Sequence, residues 1–219
     1  MIEGAIFDAD GTLLDSMGVW TALGSRYLRS LGYLPPPDLD DRLRLMSLPQ
    51  GVAYCRKLLS MRESEEETLR GIRGVITGFY RNEALLKPGA ADFLRLLHKK
   101  GVPLAVATAS DPELIGAAFE RLGILPLFRG ILSCSTLGVG KDSPLPYEKA
   151  LELLGTSRHK TPVFEDSFLA ILTAKKAGFP TVAVFDPHEE EPGRIASAAD
   201  CFLRDFRRPV SFLQYAEAL

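Results

Sequence analysis

The sequence predicts an α/β protein whose parallel sheet is interrupted early by an inserted all-helical block. Three observations carry this reading. A short apolar run, Gly4 to Phe7, reads as a buried strand. Residues 16–86 then show helical spacing without strand-like alternation. From residue 87 onward, apolar strand-like runs alternate with helical patterns. One isolated strand cannot make a domain, and a parallel strand needs neighbours, so the first strand belongs with the later region. The expected organisation is a discontinuous α/β core, residues 1–15 and 87–219, around an insertion at 16–86.

The first strand delivers Asp8-Ala9-Asp10-Gly11-Thr12 into a turn. Residues i and i+2 of a strand face the same side, so Asp8 and Asp10 can address one centre. Two acids held that close repel, which calls for a bound cation or a division of roles. The plain alternative is a solvated Asp-Gly turn.

Inside the insertion, Met17 to Leu31 reads as a helix stopping at Gly32, and Pro35-Pro36-Pro37 imposes an extended break. Asp38 is placed to cap a short helix through Met46. Pro49 suits the first turn of a helix running to about Leu59. Ser64 and Glu67 form a capping box that opens a long helix toward Arg81.

Lys87-Pro88-Gly89 begins the return to the core. A helix from about Ala90 to Lys100 ends at Gly101, and Pro103 to Ala107 is a buried strand followed by Thr108-Ala109-Ser110. Ser110 with Glu113 reads as a second capping box, with Pro112 in the first turn of a helix ending at Gly123. Open parallel sheets bind ligands beyond the carboxyl ends of their strands, which is where Thr108 falls, although it can also simply end a strand.

Arg129 to Cys134 is the next strand. A glycine-containing loop then leads to Lys141, and Pro144 and Pro146 precede a helix ending near Leu154. A lysine in such a loop is by itself a solvated surface residue. Thr161 to Phe164 is a further strand, running into Glu165-Asp166-Ser167 and a helix that ends at Gly178. Acids at a helix N-terminus have a dipole explanation of their own. Thr181 to Phe185 is a strand, Glu189-Glu190-Glu191 a solvated charge run, Ala198 to Phe202 an edge strand, and Val210 to Ala218 a terminal helix.

Composition narrows the function classes. With 219 residues, 46% hydrophobic and 25% charged, the chain can bury a sizeable core. A net charge of −2 gives no electrostatic reason to expect nucleic acid or an anionic membrane. Cys55, Cys134 and Cys201 lack metal-ligand spacing and read as core residues in a reducing compartment. No apolar run approaches transmembrane length, and Glu3 interrupts the N-terminus, so a cytoplasmic location is expected. His98, His159 and His188 are scattered and read as structural or exposed.

Asp8-x-Asp10-Gly11-Thr12 resembles the first signature of the haloacid dehalogenase-like hydrolase superfamily. Thr108 resembles the second, Gly140-Lys141-x-x-Pro144 the third, and Glu165-Asp166-Ser167 with Ala177-Gly178 the fourth. The all-helical insertion after the first signature is similar to the cap of the β-phosphoglucomutase and phosphoglycolate phosphatase branch. The resemblance implies a Rossmann-like three-layer core plus a helical cap. It also implies a Mg2+-dependent phosphatase acting on a small phosphorylated metabolite.

On that resemblance Asp8 is the nucleophile, forming an aspartyl-phosphate, and Asp10 the general acid and base. Thr108 and Lys141 hold the phosphoryl group with backbone groups at Ala9 and Ala109. Mg2+ is held by Asp8, the carbonyl of Asp10 and Asp166, with Glu165 acting through water. Thr12 would support the turn carrying Asp10. Two departures stand out: Asp142 directly follows Lys141 where relatives often have proline, and Ala170 replaces a usual glycine.

The alternatives are a sugar phosphomutase and a catalytically silent binding protein. Mutases carry a histidine and a cap arginine where this chain has Trp20 and Pro49, which favours hydrolysis. Arg42, Arg44 and Arg73 remain candidates for phosphate. Trp20, Met46, Gln50 and Tyr54 are candidate cap contacts, with core packing the better explanation of each.

Overall fold

The computed structural model describes residues 1–44, 46–189 and 191–219, with the side chain of Pro192 also left aside. Two compact units emerge: Met1–Ser16 with Ala84–Leu219, and Met17–Glu83.

The first unit begins with β1 (Ala5–Phe7) and β2 (Leu14–Asp15). The helical unit holds α1 (Met17–Thr21), α2 (Leu23–Ser30), α3 (Leu39–Leu43), α4 (Leu48–Leu59) and α5 (Glu65–Asn82). The first unit resumes with β3 (Leu85–Leu86), α6 (Ala90–Lys99), β4 (Leu104–Thr108), α7 (Pro112–Arg121) and β5 (Phe128–Ser133). It continues through α8 (Cys134–Leu137), α9 (Leu145–Leu154), β6 (Val163–Glu165), α10 (Phe168–Lys176) and β7 (Thr181–Val184). It closes with α11 (Pro192–Ala198), β8 (Cys201–Leu203) and α12 (Val210–Ala218).

Among the described residues, six strands form a parallel sheet in the order β5-β4-β1-β6-β7-β8. The order reverses at β1, so the crevice beyond β1 and β6 is a topological switch point, where open α/β sheets place ligands. Helices flank the sheet, as the α/β expectation required. Strands β1, β4 and β7 are buried along their whole length, which explains why they read as continuous apolar runs. Phe7 and Phe164 stack at 4.3 Å across β1 and β6, fixing the two strands that carry the acids.

Beside the sheet, β2 and β3 form a small antiparallel ladder. Gly89 follows it at φ +82°, where an added Cβ would meet the Arg207 backbone nitrogen at 2.4 Å. Only glycine satisfies both the left-handed conformation and the close approach.

In the helical unit, Ser64 and Glu67 make the anticipated capping box on α5. A second box, Ser47 with Gln50, opens α4. Tyr27, Leu28, Leu39, Val52, Cys55, Met61 and Ile72 form the unit's core.

Several local expectations are corrected. The helix foreseen over 17–31 is broken at Ala22, where the Thr21 hydroxyl bonds back to the carbonyls of Met17 and Gly18. Asp38 does not cap α3 through its side chain, because that carboxylate accepts from Arg42 instead. The end of that predicted helix includes Leu45, outside the described residues. Asp111, not Ser110, caps α7 by accepting from the Glu113 amide. Ala198 ends α11 rather than beginning a strand. Glu189 is half-buried and accepts from the Phe168 amide at the start of α10, so it is a tie rather than a solvated charge. Glu190 lies outside the described residues.

Candidate active site

The carboxyl ends of β1, β4 and β6 bring most of the predicted residues to one edge. Asp8 follows β1 directly, and its amide donates to the Phe164 carbonyl of β6 at 2.9 Å. Glu165 ends β6 and Asp166 follows it. Asp8, Glu165 and Asp166 are all buried, and each offers a carboxylate oxygen within 4.8 Å of the others. Adjacent residues of a strand face opposite sides, so Glu165 and Asp166 converge because the chain turns as β6 ends.

Lys141 enters from the loop before α9. Its ammonium donates to Asp8 Oδ1 at 2.7 Å, to the Ala107 carbonyl at 2.8 Å and to Glu165 Oε1. Tyr147, in the first turn of α9 and fully buried, donates its hydroxyl to the same Glu165 oxygen at 2.8 Å. The Thr12 hydroxyl, in the turn that carries Asp10, donates to Asp166 Oδ1 at 3.2 Å.

Asp10 sits past the strand in a tight loop closed by Leu13 and Leu14 amides on the Ala9 carbonyl, with Gly11 at φ +75°. Both carboxylate oxygens are held, Oδ1 by the Ser16 hydroxyl at 2.6 Å and Oδ2 by Ser110 at 2.5 Å. This explains why Ser110 does not cap α7. Thr108 ends β4, buried, and accepts from the Ser110 amide at 3.1 Å. Ala9 is buried and Ala109 exposed beside these carboxylates' loops. Asp142 is exposed and stands outside the carboxylate group.

The electrostatics describe a site with too much negative charge. Burial, reinforced by Glu165, pushes the Asp8 carboxyl well above the usual range, with Lys141 acting in the opposite direction. Burial and then Glu165 push Asp166 up to about 7. Burial acts against the Lys141 charge, yet Asp8 and Glu165 outweigh it and hold the ammonium well above its ordinary value. Three buried carboxylates against one such lysine leave a deficit that a divalent cation with oxygen ligands fits.

Sequence reasoning missed Ser16, Ser110 and Tyr147 as partners of the acids. Tyr147 lies six residues after Lys141 and carried no signal beyond being a polar group on an otherwise apolar helix face. The sequence offers Ser110 as a helix cap, whereas its hydroxyl donates to Asp10.

The parallel sheet thus places two aspartates after its first strand, with a lysine and two further acids at neighbouring strand ends. The haloacid dehalogenase-like hydrolase profile matches residues 2–178, and the chain belongs to that family. It is 30% identical over 191 residues to the phosphoglycolate phosphatase of Neisseria meningitidis, spanning 84% of this chain and 80% of the relative. It is 28% identical to the validoxylamine A 7'-phosphate phosphatase of Streptomyces hygroscopicus subsp. limoneus, over 94% of each. A Thermotoga maritima crystal structure, provisionally named a β-phosphoglucomutase, superposes with a TM-score of 0.85 at 23% identity. That match covers 98% of this chain and 99% of the other, and carries the fold alone. Among the described residues, no helix is long and apolar enough to cross a membrane.

Proposed function

We propose that this protein is a Mg2+-dependent phosphatase that hydrolyses a small phosphorylated metabolite through an aspartyl-phosphate on Asp8. The observation that carries the reading is the convergence of the buried Asp8, Glu165 and Asp166 with the Lys141 ammonium, and Asp10 two residues along from Asp8. Relatives named for phosphomonoester hydrolysis support the reaction class.

An Asp8 oxygen attacks phosphorus in line, forming the acyl-phosphate bond as the bond to the leaving oxygen breaks. Asp10 donates its proton to that oxygen, then takes one from the water that attacks phosphorus. Phosphate departs and the Asp8 carboxylate is restored. Lys141 and Thr108, with backbone amides at Ala9 and Ala109, hold the phosphoryl oxygens. Mg2+, held by Asp8, the Asp10 carbonyl and Asp166 with Glu165 acting through water, would supply the positive charge the crowded oxygens lack. Residues 16–86 would be the inserted cap of this branch, selecting the leaving group. The buried, unpaired Cys55, Cys134 and Cys201 support a reducing, cytoplasmic setting.

The test is phosphate release from p-nitrophenyl phosphate and a panel of phosphorylated metabolites. Release should require Mg2+ and stop with chelator. A folded preparation silent across the panel would favour a non-catalytic protein. Isomerisation of a sugar monophosphate primed by a sugar bisphosphate would favour a mutase.

A further inference from the structure

One buried ion pair lies outside all four signatures. The Lys87 ammonium stands 2.8 Å from Asp186 Oδ2 and donates to the Phe185 carbonyl at 2.6 Å. Both side chains are nearly sealed, at 7% and 1% exposure. Asp186 Oδ1 accepts from the His188 amide at 2.8 Å and lies 2.9 Å from the His188 ring. Such a pair is a poor way to gain stability, since two well-packed apolar residues serve as well without desolvating charges. Its placement suggests another use.

The Lys87 amide donates to the Leu13 carbonyl at 2.8 Å, in the loop that carries Asp10. That bond extends the β2–β3 ladder by one step. Its side chain reaches Phe185 and Asp186 just beyond β7, which pairs with β6 in register Glu165↔Ala183. The pair therefore spans from the Asp10 loop to the strand end beside Asp166.

We infer that Lys87 and Asp186 are positioning residues that set the cation affinity of the carboxylate group, each cancelling the other's charge beside Asp166. This rests on the metal-dependent reading above and names residues that the reading does not use. With both charges present, a cation meets little net field from the pair. Removing Asp186 leaves an unbalanced ammonium that repels the cation, and removing Lys87 leaves an unbalanced carboxylate that attracts it.

The test measures binding of Mn2+, an ion with the same preference for octahedral oxygen ligands, from the free-ion electron paramagnetic resonance signal. D186N should bind Mn2+ about tenfold more weakly, and K87M at least about threefold more tightly, consistent with a charge acting at short range in a protein interior. The double variant K87M/D186N should return to within about threefold of the unaltered protein. Opposite signs for the single variants keep the test valid if one of them fails to fold. A purely structural pair would move the melting temperature but leave Mn2+ affinity in the folded protein unchanged, which overturns the inference. A double variant as weak as D186N also overturns it. Unaltered protein that binds no Mn2+ would instead overturn the metal reading beneath it, and this inference with it.

Discussion

The Tyr147 hydroxyl donates to Glu165 Oε1 at 2.8 Å, sharing that oxygen with the Lys141 ammonium. The tyrosine ring also lies 5.5 Å from the Lys141 nitrogen. One buried aromatic residue thus fixes the acid and steadies the lysine that reaches Asp8. Y147F keeps the ring and removes only the bond. A hydrogen bond to a charged group contributes about 1.5–3 kcal/mol, so kcat/KM for phosphate release should fall about tenfold or more. Unchanged kinetics would mean that Glu165 is held in place without Tyr147.

Asp10 is gripped by Ser16 and Ser110 on its two oxygens. D10N preserves that shape while removing the acid and base, so kcat should fall by about 10²–10⁴ with the fold intact. The double change S16A/S110A removes both serine bonds and should cost a smaller factor, about fivefold to tenfold, because a misplaced acid still functions part of the time. Steady-state kinetics with circular dichroism as a folding control separates the two.

Stability of the metal-free protein should depend on pH through Asp166. Burial and Glu165 raise its folded value to about 7 from the ordinary 3.8. The folded state therefore keeps a proton that the unfolded chain releases, and stability falls as pH rises from about 4 to about 7. Melting temperatures in chelator should decline across that window. D166N should show a shallower decline, and an identical slope would place the proton elsewhere.

Gly89 joins a left-handed backbone to a close approach by Arg207. G89A should destabilise the protein by about 2 kcal/mol or more, read as a lower urea midpoint. A neutral effect would mean that the 206–207 loop yields easily.

Much of this architecture was readable from residue pattern. Continuous apolar runs such as residues 104–107 mark strands buried on both faces, and Ser64 with Glu67 marks a helix start by a local bond. Local signals misled where another group, distant in one case and one helical turn away in the other, competed for the same side chain. Ser110 was taken from its helix amide by Asp10, and Asp38 from its amides by Arg42. The convergence of Asp8 with Glu165 and Asp166 was foreseen from strand ends and the family resemblance. The Tyr147–Glu165 and Lys87–Asp186 pairs were not, since residues 18 and 99 positions apart leave no periodic trace.

The claim beneath all of this is that Asp8 carries the phosphoryl group. Its direct test is rapid acid quenching of the enzyme during turnover of an aryl phosphate, followed by peptide mapping. One phosphoryl group should appear on the peptide containing Asp8 and vanish in D8N, whose turnover should fall at least about 10³-fold. Sustained turnover by D8N, or a phosphoryl group trapped on another residue, would contradict the account.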